Sequence, residues 1–328
     1  MNDATNGRNV YILDSVIVPD AWDSEVEAEI LSGFSKVSLL HLRSEEEFVP
    51  YAPSADAIIM WHHLNLTRLS ISRLSRARVI VRNGVGVDNV DLEAAYEFGI
   101  PVCNVPDYGT EEVADHTLAM LLSLWRRLDA LKESVRSGAW DWRVAEPVRR
   151  IRGTTFGIVG CGRIGTAAAR RAKVFGFEVA FYDPYVPSGY EKAIAVKRVN
   201  TLEELLERSD VVSLHVPLTD GTFHLIGLDQ LQRMKPSAFL VNTSRGPVID
   251  EKALVVVAQS GRLAGVALDV VETEPNPPRE LLELPNFMIT PHAAFYSVEG
   301  LREIRQKSAS IVLDALAGRE LRNVVSAK

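Results

Sequence analysis

Short runs of β-branched and aliphatic residues alternate through the first third of the chain with stretches whose apolar positions recur three and four apart. Runs at 10–13, 57–60, 79–82 and 101–104 read as strands, and 24–31 and 92–98 as helices laid over them. That alternation is the pattern of layered α/β folds. A longer segment, 111–135, keeps helical spacing through Val113, Leu118, Leu121, Leu122, Trp125 and Leu128 until Ser137-Gly138 stops it. It is expected to be one helix that leads into a second domain.

The second half has the same rhythm. A strand at 155–159 runs into glycines and a helix to 175, and a strand at 178–182 ends on Asp183. Thr201 and Glu204 have capping-box spacing and start a helix. Strands follow at 211–216, 238–242 and 265–269, separated by helical stretches at 228–234 and 251–260. A last helix, 298–317, is expected to return to the first domain. The domains are then 1–110 with 300–328, and 111–299.

Composition narrows the partners. A net charge of −7 repels phosphate backbones, so direct nucleic-acid binding is not expected. Cys103 and Cys161 lie far apart, and residues 1–8 are too polar for a secretory leader; a disulfide scaffold and a cysteine zinc site are both disfavoured. The apolar stretch 118–125 meets Arg126 and Arg127 long before it could span a bilayer. A cytoplasmic protein without membrane or nucleic-acid partners is the expectation.

Gly160-Cys161-Gly162-Arg163-Ile164-Gly165 matches GxGxxG. Alone the pattern is weak, but here it follows a strand, opens a helix and belongs to a unit that closes on an acid. Gly160 permits the turn, Gly162 lets backbone approach a pyrophosphate, and Gly165 lets helix and strand pack. Helix N–H groups at Arg163 and Ile164 would face the phosphates. Asp183 can accept hydrogen bonds from ribose hydroxyls and would repel a 2′-phosphate, with no cation in Pro184-Tyr185 to reverse that. NAD is the expected cofactor.

Three later segments carry chemistry, the first two of them at the ends of expected strands. In Asn242-Thr243-Ser244-Arg245-Gly246, Arg245 can grip a carboxylate through paired hydrogen bonds and polarise the adjacent carbonyl. In Thr290-Pro291-His292, the imidazole suits the proton donor that ketone reduction by hydride requires. Glu274, in Asp269-Val270-Val271-Glu272-Thr273-Glu274-Pro275, would favour the imidazolium. A surface arginine and a structural histidine are the plainer alternatives for these residue types. The other histidines (His41, His62, His63, His116, His215 and His224) lack ligand spacing, and His62 and His63, as strand neighbours, are expected to face opposite ways. No metal is expected.

These motifs together resemble the D-isomer-specific 2-hydroxyacid dehydrogenase family, in particular its branch of C-terminal-binding proteins. The resemblance spans nearly the whole chain. It is carried by Val81-Arg82-Asn83-Gly84-Val85-Gly86-Val87-Asp88-Asn89, Val102-Cys103-Asn104-Val105-Pro106, Glu111-Glu112-Val113-Ala114-Asp115, the glycine motif, Phe181-Tyr182-Asp183-Pro184-Tyr185, Asn242-Thr243-Ser244-Arg245-Gly246, Ala267-Leu268-Asp269-Val270 and Thr290-Pro291-His292-Ala293-Ala294-Phe295-Tyr296-Ser297. It implies a doubly wound, parallel-sheet Rossmann domain inserted into a smaller flavodoxin-like substrate domain, and a homodimer.

The resemblance further implies that Arg245, Glu274 and His292 are the catalytic arginine, glutamate and histidine. Cofactor contacts would come from Gly160, Gly162, Arg163, Ile164, Gly165, Asp183, Val216, Pro217, Thr222, Thr243, Ser244, Arg245, Asp269 and His292. Substrate would meet Arg82, Asn83, Gly84, Val85 and Gly86, besides Arg245 and His292. Related formate dehydrogenases carry glutamine in place of Glu274, which disfavours formate. The C-terminal-binding branch has tryptophan where this chain has Phe295. Phosphoglycerate dehydrogenases often add a regulatory domain, for which no room is expected after Lys328. The implied activity is hydride transfer between NAD(H) and a small D-2-hydroxy/2-oxo acid. An NAD(H)-sensing corepressor-like protein and a dehydrogenase of another small anion, such as phosphite, are the alternatives.

Overall fold

In this computed structural model every residue is described except 1–6, 18, 22 and 326–328; the leader-free N-terminus read from residues 1–8 falls mostly outside that set. The chain forms two compact units, Met1–Tyr108 with Ser297–Lys328, and Gly109–Tyr296.

The first unit holds strands β1 (Asn9–Ser15), β2 (Lys36–Leu42), β3 (Ala55–Met60), β4 (Ile80–Arg82) and β5 (Val102–Asn104). The second holds β6 (Thr155–Val159), β7 (Glu178–Tyr182), β8 (Lys197–Arg198), β9 (Val211–Leu214), β10 (Phe239–Asn242), β11 (Gly265–Leu268) and β12 (Phe287–Ile289), and β13 (Val324–Val325) returns to the first.

In the first unit the strand order is β13-β5-β4-β3-β1-β2, parallel except for β13. All six residues of β3 are buried, as a central parallel strand requires. The helix Val298–Leu316 packs on β3 and against the helix Glu25–Ile30. There the buried Glu27 receives a two-pronged hydrogen bond from Arg305, at 2.9 and 2.7 Å. β2 escapes a reading by hydrophobic runs. It is an edge strand, most of its residues are half-exposed, and Ser38 and His41 interrupt its apolar pattern.

In the second unit the order is β12-β11-β10-β9-β6-β7-β8, parallel throughout. Side chains alternate across this sheet. Val159, Leu240 and Val266 enter one core layer, while Ile158, Val241 and Ala267 enter the other. Both faces are therefore covered, one with Leu205, Leu231 and Leu254 and the other with Leu118, Leu121, Ala168 and Ala172. That is a doubly wound fold.

The expected single helix across 111–135 is two, Thr110–Arg126 and Leu128–Arg136. Arg127 between them adopts a left-handed conformation (φ 49°) and its N–H bonds back to Leu124, so the first helix is capped and a second begins at once. Apolar spacing continues through the break and hides it. Elsewhere Thr201 accepts from the Glu204 N–H, as its spacing predicts.

Candidate functional site

In a parallel sheet the loops after the strands' carboxyl ends form the ligand side, and the reversal of strand order opens a crevice there. Here the order reverses between β6 and β9. Gly160–Gly165 follows β6, Asp183 follows β7, and Val216, Pro217 and Thr222 follow β9. Thr243, Ser244 and Arg245 follow β10, Asp269 to Glu274 follow β11, and His292 follows β12. One edge of one sheet thus carries every candidate residue of the second unit.

The dinucleotide end fits its fingerprint. Gly160 has φ +88°, and an added Cβ would sit 2.7 Å from the His215 carbonyl. At Gly165 a Cβ would overlap the Gly160 carbonyl, so only glycine lets the helix Arg163–Val174 begin so close to β6. Above Gly162 the space is open. Gly162 and Arg163 are exposed and Ile164 is half-buried, leaving the positive end of that helix accessible to a phosphate.

The Asp183 carboxylate is fixed by two backbone donors, the N–H groups of Cys161 and Tyr185, each at 2.8 Å. A carboxylate so held keeps further lone pairs for other donors. Pro184-Tyr185 carry no cation, as read, but Arg198 on β8 comes near from outside that segment and donates to the Asp183 main-chain carbonyl at 2.7 Å. Its place follows from sheet pairing of β7 with β8, which sequence distance conceals. Thr222 folds its own loop, donating to the Pro217 carbonyl at 2.6 Å, and Thr243 pairs with Thr117 at 2.9 Å.

His292 and Glu274 meet. His292 Nδ1 is 2.9 Å from Glu274 Oε2, and Glu274 Oε1 accepts the Val271 N–H at 3.2 Å. Burial pushes the Glu274 carboxyl up, but its bond to His292, the charge of His292, the Val271 N–H and the charge of Arg245 outweigh that and hold it below its ordinary value. Arg245 therefore lies within electrostatic reach of the pair. Its Nη1 also donates to the Ser244 carbonyl at 2.8 Å, and Asn242 Nδ2 closes the loop onto the Arg245 carbonyl at 2.8 Å. A Cβ at Gly246 would overlap the Val271 carbonyl, so glycine lets the β10 and β11 loops touch and bring arginine and glutamate together.

His292 stands in a left-handed conformation (φ 52°) that side-chain-bearing residues rarely adopt. The fully buried Asp269 holds it there. Its carbonyl accepts the His292 N–H at 2.8 Å, and its carboxylate accepts the Ala293 and Ala294 N–H groups at 2.9 Å and the Thr290 hydroxyl at 2.6 Å. His116 Nε2 joins this network, 3.1 Å from Thr290 Oγ1 and 3.6 Å from Asp269 Oδ1. Read from sequence as structural, His116 is a support of the histidine loop; no spacing signal links position 116 to 269. Phe295 stands edge-on to His292, ring centroids 6.4 Å apart.

The candidates of the first unit gather after β4. Arg82 is buried and its Nη1 donates to the Asn83 carbonyl at 2.6 Å. Gly84, at φ +144°, leaves the space the Arg82 guanidinium fills, so an added Cβ would coincide with it. Asn83 is buried with neither amide atom hydrogen-bonded, a polar position suited to a ligand. Asn104 holds the Val85 carbonyl at 2.6 Å, and Val85 itself is exposed beside the half-buried Gly86. Trp61 and Tyr108 are also buried in this unit.

His62 and His63 overturn the strand-neighbour expectation. β3 ends at Met60, the two residues occupy a turn, and their rings lie side by side with centroids 3.8 Å apart and planes inclined by 41°.

Residues 118–294 match the family profile described as D-isomer specific 2-hydroxyacid dehydrogenase, NAD binding domain. The chain is 37% identical over 300 residues to D-3-phosphoglycerate dehydrogenase of Methanocaldococcus jannaschii, covering 92% of this chain and 55% of that protein. It is 35% identical over 314 residues to C-terminal-binding protein 1 of Caenorhabditis elegans, covering 93% and 43%. The chain thus spans about half the length of these curated relatives. A glyoxylate reductase structure from Paecilomyes thermophila superposes with TM-score 0.86 at 31% identity, covering 97% of this chain and 98% of that one. D-lactate dehydrogenase from Aquifex aeolicus, complexed with NAD and lactic acid, superposes with TM-score 0.85 at 31% identity, covering 94% and 96%. Among the described residues no helix is long and apolar enough to cross a membrane.

Proposed function

The chain belongs to the D-isomer specific 2-hydroxyacid dehydrogenase family, and on that premise we propose that it is an NAD-dependent enzyme interconverting a small D-2-hydroxy acid and its 2-oxo acid. The observation that carries this reading is the 2.9 Å His292–Glu274 pair, with Arg245 in electrostatic reach, on the same sheet edge as the dinucleotide fingerprint.

NADH, when bound, supplies the hydride. The exposed helix start at Gly162 to Ile164 would hold its phosphates and Asp183 its ribose. Val216, Pro217, Thr222, Thr243, Ser244 and Asp269 are assigned to the cofactor on the family resemblance. Arg245 binds the substrate carboxylate and draws electron density from the ketone oxygen. Glu274 takes Nδ1 of His292, so the proton delivered to the nascent alkoxide is the one His292 holds on Nε2. Arg82 and the backbone around Asn83, Gly84, Val85 and Gly86 are assigned to the substrate carboxylate by the same resemblance.

We assign the protein to the cytoplasm, in keeping with two buried free thiols. A homodimer is favoured by the exposed apolar stretch on and after the helix Leu128–Arg136, where Val135, Trp140, Trp142 and Val144 face outward.

Loss of NADH absorbance with glyoxylate, hydroxypyruvate, pyruvate, and branched and aromatic 2-oxo acids tests the activity. Turnover with at least one is expected, with Arg245→Ala losing both affinity and rate and His292→Ala chiefly rate. Tight NADH binding without turnover on any of them would overturn it. That outcome would favour an NAD(H)-sensing binding protein, the reading suggested by 35% identity to C-terminal-binding protein 1.

A further inference from the structure

Asp20, His62 and His63 form a cluster in the first unit that the dehydrogenase chemistry does not use. One ligand atom from each lies within 4.8 Å of the others. His62 Nδ1 approaches Asp20 Oδ2 to 3.1 Å, and both side chains are about nine-tenths buried. A hydrogen-bonded Asp–His pair is the ordinary explanation of such a distance, but the alignment is wrong for one. Asp20 Oδ2 is buried and takes no hydrogen bond.

Two ligands on one tetrahedral ion, at about 2.0–2.1 Å each, stand about 3.3–3.4 Å apart, close to the separation observed. His63, its ring centroid 3.8 Å from that of His62 and its plane tilted by 41°, is partly exposed and brings a second imidazole to the same place.

Both arms of the cluster are held from behind. The buried Asp14 carboxylate accepts the N–H groups of Asp20 and Ala21, each at 2.8 Å, which fixes the segment after β1. Asn89 Nδ2 donates to the carbonyls of Trp61 at 3.0 Å and Leu64 at 2.7 Å, which fixes the turn holding both histidines.

We propose that Asp20, His62 and His63 bind a divalent first-row transition ion of the zinc or cobalt class. Two imidazoles and one carboxylate suit such ions over magnesium or calcium, which favour oxygen ligands throughout. Three protein ligands leave a coordination position for water or an anion. The assignment rests on the geometry of Asp20, His62 and His63 and not on the proposed dehydrogenase activity.

Cobalt(II) chloride added to the chelator-treated full-length chain tests it, read by the visible ligand-field absorption and by calorimetry, with zinc chloride as competitor. One ion per chain is expected, displaced by zinc. Asp20→Ala and His63→Ala are each expected to weaken binding by at least about tenfold, and His292→Ala to leave it unchanged. Should Asp20→Ala fail to fold by circular dichroism, His63→Ala decides, because His63 is partly exposed in a turn. Absence of a one-to-one complex, binding indifferent to His63→Ala, or binding lost in His292→Ala would each overturn the assignment.

Discussion

The imidazole of His292 and the carboxylate of Glu274, eighteen positions apart in the chain, meet at 2.9 Å. Sequence points to Glu274 for this partnership, and the structure brings the two side chains together; Glu272, two positions away, meets His224 instead, both its oxygens 3.2 Å from His224 Nε2. The pairing places a carboxylate, held below its ordinary pKa by that histidine and its neighbours, behind the proposed proton donor.

Glu274→Gln removes that charge and keeps the shape. Glu274 holds Nδ1 of His292, so kcat for reduction should fall at least about tenfold while KM for NADH stays put. Steady-state kinetics measures it, and an unchanged kcat would count against the role. The pH dependence lies in stability. Glu274 has a depressed folded pKa, so its contribution is present above the ordinary carboxyl range and fades as the pH falls through the folded value.

Gly84→Ala places a methyl where the Arg82 guanidinium lies and asks alanine to adopt φ +144°. If Arg82 binds the substrate carboxylate, KM for the 2-oxo acid should rise at least about tenfold, while NADH binding stays put. Steady-state kinetics with each substrate varied separates the two effects.

Asp183→Ala should raise KM for NADH by about tenfold or more, since a charged acceptor for ribose hydroxyls is lost. Discrimination against NADPH should fall with it. The Arg198 guanidinium, already seated on the Asp183 carbonyl at 2.7 Å, is the cation that a 2′-phosphate would meet. The ratio of kcat/KM for the two cofactors is the readout.

Arg305→Ala strands Glu27 as a buried carboxylate without its two-pronged partner. Breaking one side of such a pair costs about 3–5 kcal/mol. Denaturant unfolding should show the loss in the first unit. The double variant Arg305→Met with Glu27→Leu should recover much of it, because no buried charge is left unpaired; Asp23, the other carboxylate that Arg305 meets, is half-exposed.

Trp140 is 83% exposed and Trp142 69%. Side chains of that size in water call for a partner, and a second copy of this chain is the proposed one. Trp140→Glu combined with Trp142→Glu should give a monomer by light scattering where the parent is a dimer. A monomeric parent would refute the dimer directly.

Much of the fold is legible in the chain because local physics writes it there. Buried parallel strands are continuous apolar runs, the Thr201 hydroxyl caps its own helix, and Gly160 and Gly165 fall where a turn and a close approach exclude a Cβ. Edge elements escape such reading. β2, β8 and β13 lie at sheet margins and need no apolar pattern, and the break at Arg127 leaves helical spacing undisturbed.

Sequence by itself determined which chemical groups follow the strands ending at Val159, Tyr182, Asn242 and Leu268, because residue type and period are local properties. Tertiary structure decided which groups touch. It supplied the short strand β12 before His292, set Glu274 against His292, moved Arg198 beside Asp183, drew His116 into the Asp269 network and turned His62 and His63 together. Those contacts depend on sheet order and on turns where strand alternation no longer holds, and both are fixed only when the whole chain packs.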